Sequence, residues 1–131
     1  MLHRQYKYKF YLNMNHSVEI EGQQGAVHSH TWEITMRIAV EQSVFVRFSD
    51  IEEYIDSLLG KYQDKYLNSM EPFNVINPIL ENVCDYFFEY MTKELWKKGW
   101  LLMVMEMSET PSRIYQVSGF SPQEDYTFTF V

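Results

Sequence analysis

Residues 31–40 carry the most constraining pattern in the sequence, a regular alternation of apolar and polar side chains. Successive side chains on a strand point to opposite faces, so one face of this segment is apolar and the other is mostly polar. A period of two therefore predicts a half-buried strand in an antiparallel sheet. The apolar positions are Trp32, Ile34, Met36, Ile38 and Val40.

Two segments show the helical period instead. The pattern Ser-x-x-Glu at Ser49 is a capping box and predicts a helix start there, and Gly60 predicts its end. For the second helix the sequence predicts Asn77 as the N-cap, Pro78 at the first helical position and Gly99 as the terminator. Each segment carries one apolar stripe, which predicts one buried face for each helix.

Strands surround these helices in the sequence. The sequence predicts a first strand over residues 6–16 and a further strand over residues 113–117. The dense apolar run 100–107 predicts a central strand. Alternating aromatic and Thr residues predict a last strand over 126–131, and residues 44–48 form a short extended piece. The order of strands, two helices and strands predicts an α+β fold, with an antiparallel sheet and both helices on one of its faces.

The composition limits both the architecture and the partners. At 131 residues, the chain predicts a single domain spanning residues 1–131 with a substantial core. Hydrophobic content of 46% argues against a disordered chain. The net charge of −7, with scattered Lys and Arg residues, argues against a nucleic-acid or anionic-membrane binder. A local basic pocket for a phosphorylated small molecule is compatible with this composition.

A single cysteine, Cys84, means that no intrachain disulfide can form. Cys84 falls on the apolar stripe of the second helix, so we interpret it as a packed core thiol rather than a nucleophile. The sequence shows no signal-peptide pattern and no segment long enough to span a membrane. These observations predict a cytoplasmic protein.

Three histidines form the main candidate site. His28 and His30 lie two residues apart, so on a strand they point to one face. The Gly- and Gln-containing loop before them lets a hairpin bring His16 beside His28. Three neutral imidazoles with one open position are typical of a catalytic zinc site. A His-x-His pair alone is a weak signal, and His3 is interpreted as an ordinary surface or core residue.

Several motifs in one order resemble the 6-pyruvoyltetrahydropterin synthase and 6-carboxytetrahydropterin synthase family. The resemblance covers about residues 8–117. The matching segments are His16, His28-Ser29-His30-Thr31-Trp32, Phe48-Ser49-Asp50, Asp64-Lys65-Tyr66-Leu67-Asn68, Asn77-Pro78-Ile79-Leu80-Glu81-Asn82 and Glu109-Thr110-Pro111.

The resemblance implies the tunnelling fold and a ring-forming homo-oligomer, such as a trimer or hexamer, with active sites at subunit interfaces. It implies that His16, His28 and His30 bind zinc. It also implies that Glu109, with Thr110 beside it, binds a pterin such as dihydroneopterin triphosphate. One carboxylate can accept two parallel N–H bonds from the 2-amino-4-oxopyrimidine edge of a pterin. Glu106 is the nearby competitor for that role.

The chain departs from the family pattern at the catalytic groups. Gln24 stands where the family has a cysteine base, and an amide has no useful basicity near neutral pH. The family's Asp-His pair reads Asp64-Lys65, so the histidine that changes charge near neutral pH is missing. Asp64 and Lys65 are the remaining catalytic candidates, although Lys65 is also interpretable as a solvated loop lysine.

Three interpretations of the function follow. The first is a zinc-dependent lyase acting on a pterin, in which Asp64, Lys65, or a loop carboxylate such as Glu19 or Glu21 replaces the missing groups. The second is a non-catalytic or repurposed homo-oligomeric module that binds a pterin or purine. The third is a small metal-binding α+β domain with another ligand. The sequence does not decide whether the protein is an enzyme.

Overall fold

The structure is a computed structural model that describes residues 4–41 and 43–119. The predicted strand over 126–131 lies outside these residues. In chain order the elements are β1 (Tyr6–His16), β2 (Glu19–Ile20), β3 (Gln23–Gln24), β4 (His28–Val40), α1 (Phe48–Leu59), β5 (Lys65–Tyr66), α2 (Leu80–Trp96), β6 (Trp100–Thr110) and β7 (Arg113–Ser118). Single 3₁₀ turns at Gly60–Tyr62 and Leu67–Ser69 flank β5.

The main sheet has the strand order β5-β1-β4-β6-β7. Its four long strands pair antiparallel, as predicted, and the two-residue β5 adds a short parallel edge along β1. The β1–β4 ladder is continuous from the pair Tyr6↔Ile38 to the pair His16↔His28. The predicted hairpin is therefore confirmed, and it sets His16 directly opposite His28.

Both helices cover one face of the sheet, which confirms the predicted α+β class. α1 buries Ile51, Ile55 and Leu59, while α2 packs against β6 and β7. Each fully buried aliphatic or aromatic side chain of such a core contributes about 1.5–3 kcal/mol relative to exposure. No helix among the described residues combines the length and hydropathy needed to cross a membrane. The buried side chains of α2 are Val83, Cys84, Phe87, Phe88, Met91 and Leu95.

The predicted N-cap of the first helix was wrong, whereas its predicted end at Gly60 is confirmed, since α1 ends at Leu59 with Gly60 as its C-cap. α1 begins at Phe48, with Arg47 as its N-cap, and not at Ser49. The Asp50 carboxylate accepts a hydrogen bond from the Arg47 backbone N–H at 3.2 Å and so fills the role assigned to the predicted capping box. Gly60 keeps right-handed helical angles, so the chain continues directly into a 3₁₀ turn.

The predicted start of the second helix was also wrong. α2 begins at Leu80 with Ile79 as its N-cap, because the Asn77 side chain is occupied elsewhere. The Asn77 amide exchanges two hydrogen bonds with the backbone of Glu19, which lies far away in the sequence. Gly99 has φ of +81° and separates α2 from β6, as a glycine terminator should.

Candidate metal centre

The core-facing side of three adjacent strands changes from apolar to polar at one end of the sheet. On β1 the stripe of buried side chains at every second residue ends in His16, and on β4 the corresponding stripe ends in His30 and His28. On β6 the buried Met107 is followed two residues later by Glu109. Because the strands are neighbours in the order β1-β4-β6, their last core-facing side chains meet.

The four side chains converge closely. The Nε2 atoms of His16 and His28 are 2.9 Å apart, and Glu109 Oε2 lies 3.0 Å from His16 Nε2 and 3.4 Å from His30 Nε2. The four candidate ligand atoms all lie within 4.8 Å of one another. Ligand atoms around a tetrahedral zinc ion at about 2.0–2.1 Å are roughly 3.3 Å apart, so the three separations of 2.9, 3.0 and 3.4 Å match such an ion.

The opposite ring nitrogens are held by backbone carbonyls. His16 Nδ1 lies 2.8 Å from the Pro78 carbonyl oxygen, and His28 Nδ1 lies 3.1 Å from that of Ala26. A carbonyl only accepts a hydrogen bond, so each Nδ1 carries a proton, and in the neutral ring the Nε2 atom presents its lone pair. The distance of 2.9 Å between the two Nε2 atoms requires a proton or a metal ion between them. This tautomer and orientation are the ones that metal-binding histidines use.

The charge states also suit a metal. A hydrogen bond with His16 lowers the pKa of Glu109, which keeps this carboxylate ionised. Burial lowers the pKa of His30, although the negative charge of Glu109 opposes that shift. At neutral pH the site therefore offers a carboxylate and a neutral imidazole, the forms that bind zinc.

Trp32 supports the cluster from the core. Its side chain is fully buried, and its ring meets those of His16 and His30 edge to face, at 5.0 and 6.1 Å between centroids. The indole Nε1–H donates to the Met14 carbonyl oxygen at 3.3 Å. The sequence marked Trp32 as a strand residue, and its contact with the histidines depends on the pairing of β1 with β4.

Two asparagine side chains hold the short β2–β3 hairpin that follows His16. Asn68 accepts from the Ser17 N–H at 2.9 Å and donates to the Ser17 carbonyl at 2.8 Å. Asn77 makes the same pair of bonds with Glu19, at 2.9 and 2.7 Å. Both asparagines belong to the motifs that suggested the family, and the structure gives them a role in positioning that the sequence alone did not reveal.

A cavity of about 440 Å³ opens beside the histidines. Glu109 and Thr110, the predicted ligand-binding pair, line it together with the three histidines. Arg113, Tyr115 and Glu81 also line it, and the sequence did not mark any of them as a site residue, although Glu81 belongs to a segment that resembles the family. No local pattern marks these residues, because they enter from β7 and the first turn of α2. Glu106, the competitor of Glu109, is not among the residues that line this cavity.

The predicted catalytic residues lie elsewhere on this subunit. Lys65 is exposed on the edge strand β5, where it pairs with Met14, and Asp64 is exposed just before it with φ of 62°. Neither is among the described residues that line the cavity. Asp64 is held by a backbone hydrogen bond to the Asn13 carbonyl at 2.7 Å. Their catalytic role stays a prediction.

The residues of the β2–β3 hairpin that were considered at the position of the base also lie outside the lining of the cavity. The Gln24 amide donates to the hydroxyl of the buried Ser17 at 2.5 Å, so it acts as a structural contact. Glu19 and Glu21 are exposed, and Glu21 forms the hairpin turn with φ of 51°. Cys84 is fully buried, and burial raises its pKa to about 12, which supports its interpretation as a core thiol.

The family follows from comparison with known proteins. The family model of 6-pyruvoyl tetrahydropterin synthase matches residues 3–119. The chain belongs to this family. No curated protein sequence matches it.

Solved structures show the same fold at low sequence identity. The Caenorhabditis elegans 6-pyruvoyl tetrahydropterin synthase is 17% identical, with a TM-score of 0.69 over 92% of this chain and 100% of that one. An uncharacterised protein from Wolinella succinogenes is 10% identical, with the same TM-score and coverage. The Plasmodium vivax 6-pyruvoyl tetrahydropterin synthase is 14% identical, with a TM-score of 0.63 over 87% of this chain and 97% of that one. These low identities fit a divergent family member.

Proposed function

We propose that the chain is a zinc-binding protein whose cavity takes a pterin-like small molecule. The observation that carries this proposal is the convergence of the Nε2 atoms of His16, His28 and His30 at one end of the cavity. The Nδ1 atoms of His16 and His28 contact backbone carbonyl oxygens, an arrangement that is typical of metal-binding histidines. His16, His28 and His30 would hold the zinc ion, which would supply Lewis acidity toward an oxygen of a bound ligand.

Glu109 and Thr110 are the proposed anchors of the pterin. Glu109 remains a carboxylate at neutral pH and lines the same cavity as the histidines. A carboxylate that accepts two parallel N–H bonds selects the planar edge of a pterin or purine. The cavity volume of about 440 Å³ lies within the range of small-molecule sites. The exposed Arg113 adds a positive charge at the cavity, which favours an anionic substituent.

The standard synthase reaction is expected to be slow or absent. Gln24 replaces the thiol base, and Lys65 replaces the histidine, while each general acid–base group commonly contributes about 10²- to 10⁴-fold. We therefore propose binding or altered chemistry as the function. The enzymatic alternative assigns the proton transfers to Asp64 and Lys65 and requires an assembly, such as a trimer or hexamer, that brings them to a neighbouring cavity. The cytoplasmic location stays a prediction.

Turnover of dihydroneopterin triphosphate by the zinc-loaded protein tests this proposal, with mass spectrometry of the pterin products. We expect the pterin to be retained on the protein without release of triphosphate at a rate typical of a synthase. Rapid formation of a pyruvoyl- or carboxy-type product would contradict the loss of the standard reaction. In that case Asp64→Asn and Lys65→Ala would show whether these residues replace the missing groups. If no pterin is retained or converted, the pterin assignment is wrong.

A further inference from the structure

We propose that Glu109 is the fourth metal ligand in the ligand-free protein and leaves the ion when a ligand enters the cavity. This inference rests on the proposed function, since it presumes the zinc site of the three histidines. It adds a second state to that site. The Glu109 carboxylate occupies the fourth coordination position of the metal when the cavity is empty. That position becomes free when the carboxylate turns to the ligand.

The positions of the atoms support the closed state. A single oxygen, Oε2, approaches two imidazole nitrogens, at 3.0 Å from His16 and 3.4 Å from His30. These separations are close to the roughly 3.3 Å expected between two ligands of one tetrahedral zinc ion. The carboxylate is also only 22% exposed, so it faces the histidines rather than solvent. Three imidazoles and one carboxylate complete a four-coordinate sphere.

The backbone at Glu109 supports its capacity to move. On one side, β6 pairs with β7 at Ser108↔Ile114 and next at Thr110↔Arg113. Two residues of β6 therefore oppose one residue of β7, and Glu109 is the extra residue of a β-bulge. On the other side, the ladder with β4 ends at the pair Glu33↔Ser108. Glu109 lies outside both ladders, so a shift of its side chain breaks no strand pairing.

The chemistry couples the two states. A planar ligand edge with two parallel N–H groups needs both carboxylate oxygens in one plane, so Oε2 has to leave the ion to form that pair. Binding of such an edge then opens one coordination position beside the ligand. By linkage, a ligand that competes for Glu109 weakens zinc binding by the same factor as zinc weakens binding of that ligand. Unsubstituted pterin is a suitable probe, because it has the recognition edge and no side chain that could replace the carboxylate on the ion.

The test uses zinc affinity, measured by competition with a chromophoric chelator, and the visible spectrum of the cobalt(II)-substituted protein. Glu109→Gln keeps the shape of the side chain and removes its charge. We expect this change to weaken zinc binding by at least roughly 10- to 100-fold, the range that even outer-shell partners reach. We also expect it to alter the cobalt spectrum. Glu106→Gln, on the same strand but outside the cavity lining, is the matched control and should leave both unchanged.

The second part of the test adds unsubstituted pterin to the cobalt(II)-substituted protein. We expect the spectrum of the unaltered protein to change toward that of Glu109→Gln, and the variant spectrum to stay constant. Unaltered zinc affinity and an unaltered cobalt spectrum in Glu109→Gln would overturn the inference while leaving the three-histidine site intact. Full zinc binding after loss of His28 would instead refute the proposed site itself, and the inference with it. The two failures are therefore distinguishable.

Discussion

The histidine end of the sheet and the β5 edge differ in how strongly the fold determines their side chains. At the histidine end, His16 is 2% exposed and is fixed by a carbonyl, two neighbouring rings and the buried Trp32. At the β5 edge, Asp64 and Lys65 are exposed and rest on a two-residue strand. The region proposed to hold a ligand keeps the three histidines and Glu109, whereas the β5 edge carries Lys65 where the resemblance implies a histidine.

This difference teaches that the three histidines are positioned by the strands of the sheet, although only His16 is buried, while His30 is half-buried and His28 is exposed. His16, His28 and His30 continue the apolar stripes of β1 and β4, so the packing of the sheet itself aims them at one point. Replacement of Lys65 costs the fold little, because its side chain lies in solvent. We therefore propose that binding and proton transfer are separable in this protein, and the following substitutions test that separation.

Trp32→Ala should have the largest effect on stability. Removal of a fully buried Trp leaves a cavity beneath the histidines and costs about 3–5 kcal/mol of unfolding free energy. Chemical denaturation of the metal-free protein measures this loss. Phe45→Ala is the matched control, because Phe45 is 85% exposed and its removal should cost little. Equal losses for the two variants would show that the histidine end does not depend on this support.

Asn68→Ala should have an intermediate effect. The substitution removes two hydrogen bonds to the backbone of Ser17, which is 2% exposed, and leaves buried polar groups without their partner. We expect a loss of about 1–3 kcal/mol in denaturation of the metal-free protein. Asn74→Ala, at an exposed position, serves as the control. A loss below the experimental error for Asn68→Ala would contradict the positioning role of this amide.

Lys65→Ala should have the smallest effect. Its side chain is exposed, and surface substitutions usually change stability by no more than about 0.5 kcal/mol. We expect zinc affinity and retention of pterin by the zinc-loaded protein to stay the same. A strong decrease in pterin retention would show that Lys65 reaches a cavity in the assembled protein. The β5 edge and the histidine end would then act together in binding.

The sequence predicted what depends on local periodicity. The alternation in residues 31–40 defined which face of β4 is buried, and the spacing of His28 and His30 put them on that face. The extent of β4 was underestimated, since the strand begins at His28. The loop before it correctly suggested the hairpin that brings His16 alongside.

Features that depend on distant partners were not predictable in this way. Asn77 looked like a helix cap, but its side-chain amide is hydrogen-bonded to the backbone of Glu19, so α2 begins at Leu80, two residues later than predicted. The approach of Glu109 to the histidines depends on the pairing of β6 with β4, which no local residue pattern marks. Arg113 reaches the cavity for the same reason, because the register of β7 decides which side chains face it.

Zinc binding by the unaltered chain and by His28→Ala tests the central claim most directly. Equilibrium dialysis followed by elemental analysis gives the zinc content per chain, and Lys65→Ala controls for the effect of substitution itself. We expect the unaltered chain and Lys65→Ala to bind one zinc ion per subunit and His28→Ala to lose most of it, because His28 is one of the four converging ligand residues and its Nε2 lies 2.9 Å from that of His16. Full zinc content in His28→Ala would contradict the three-histidine site.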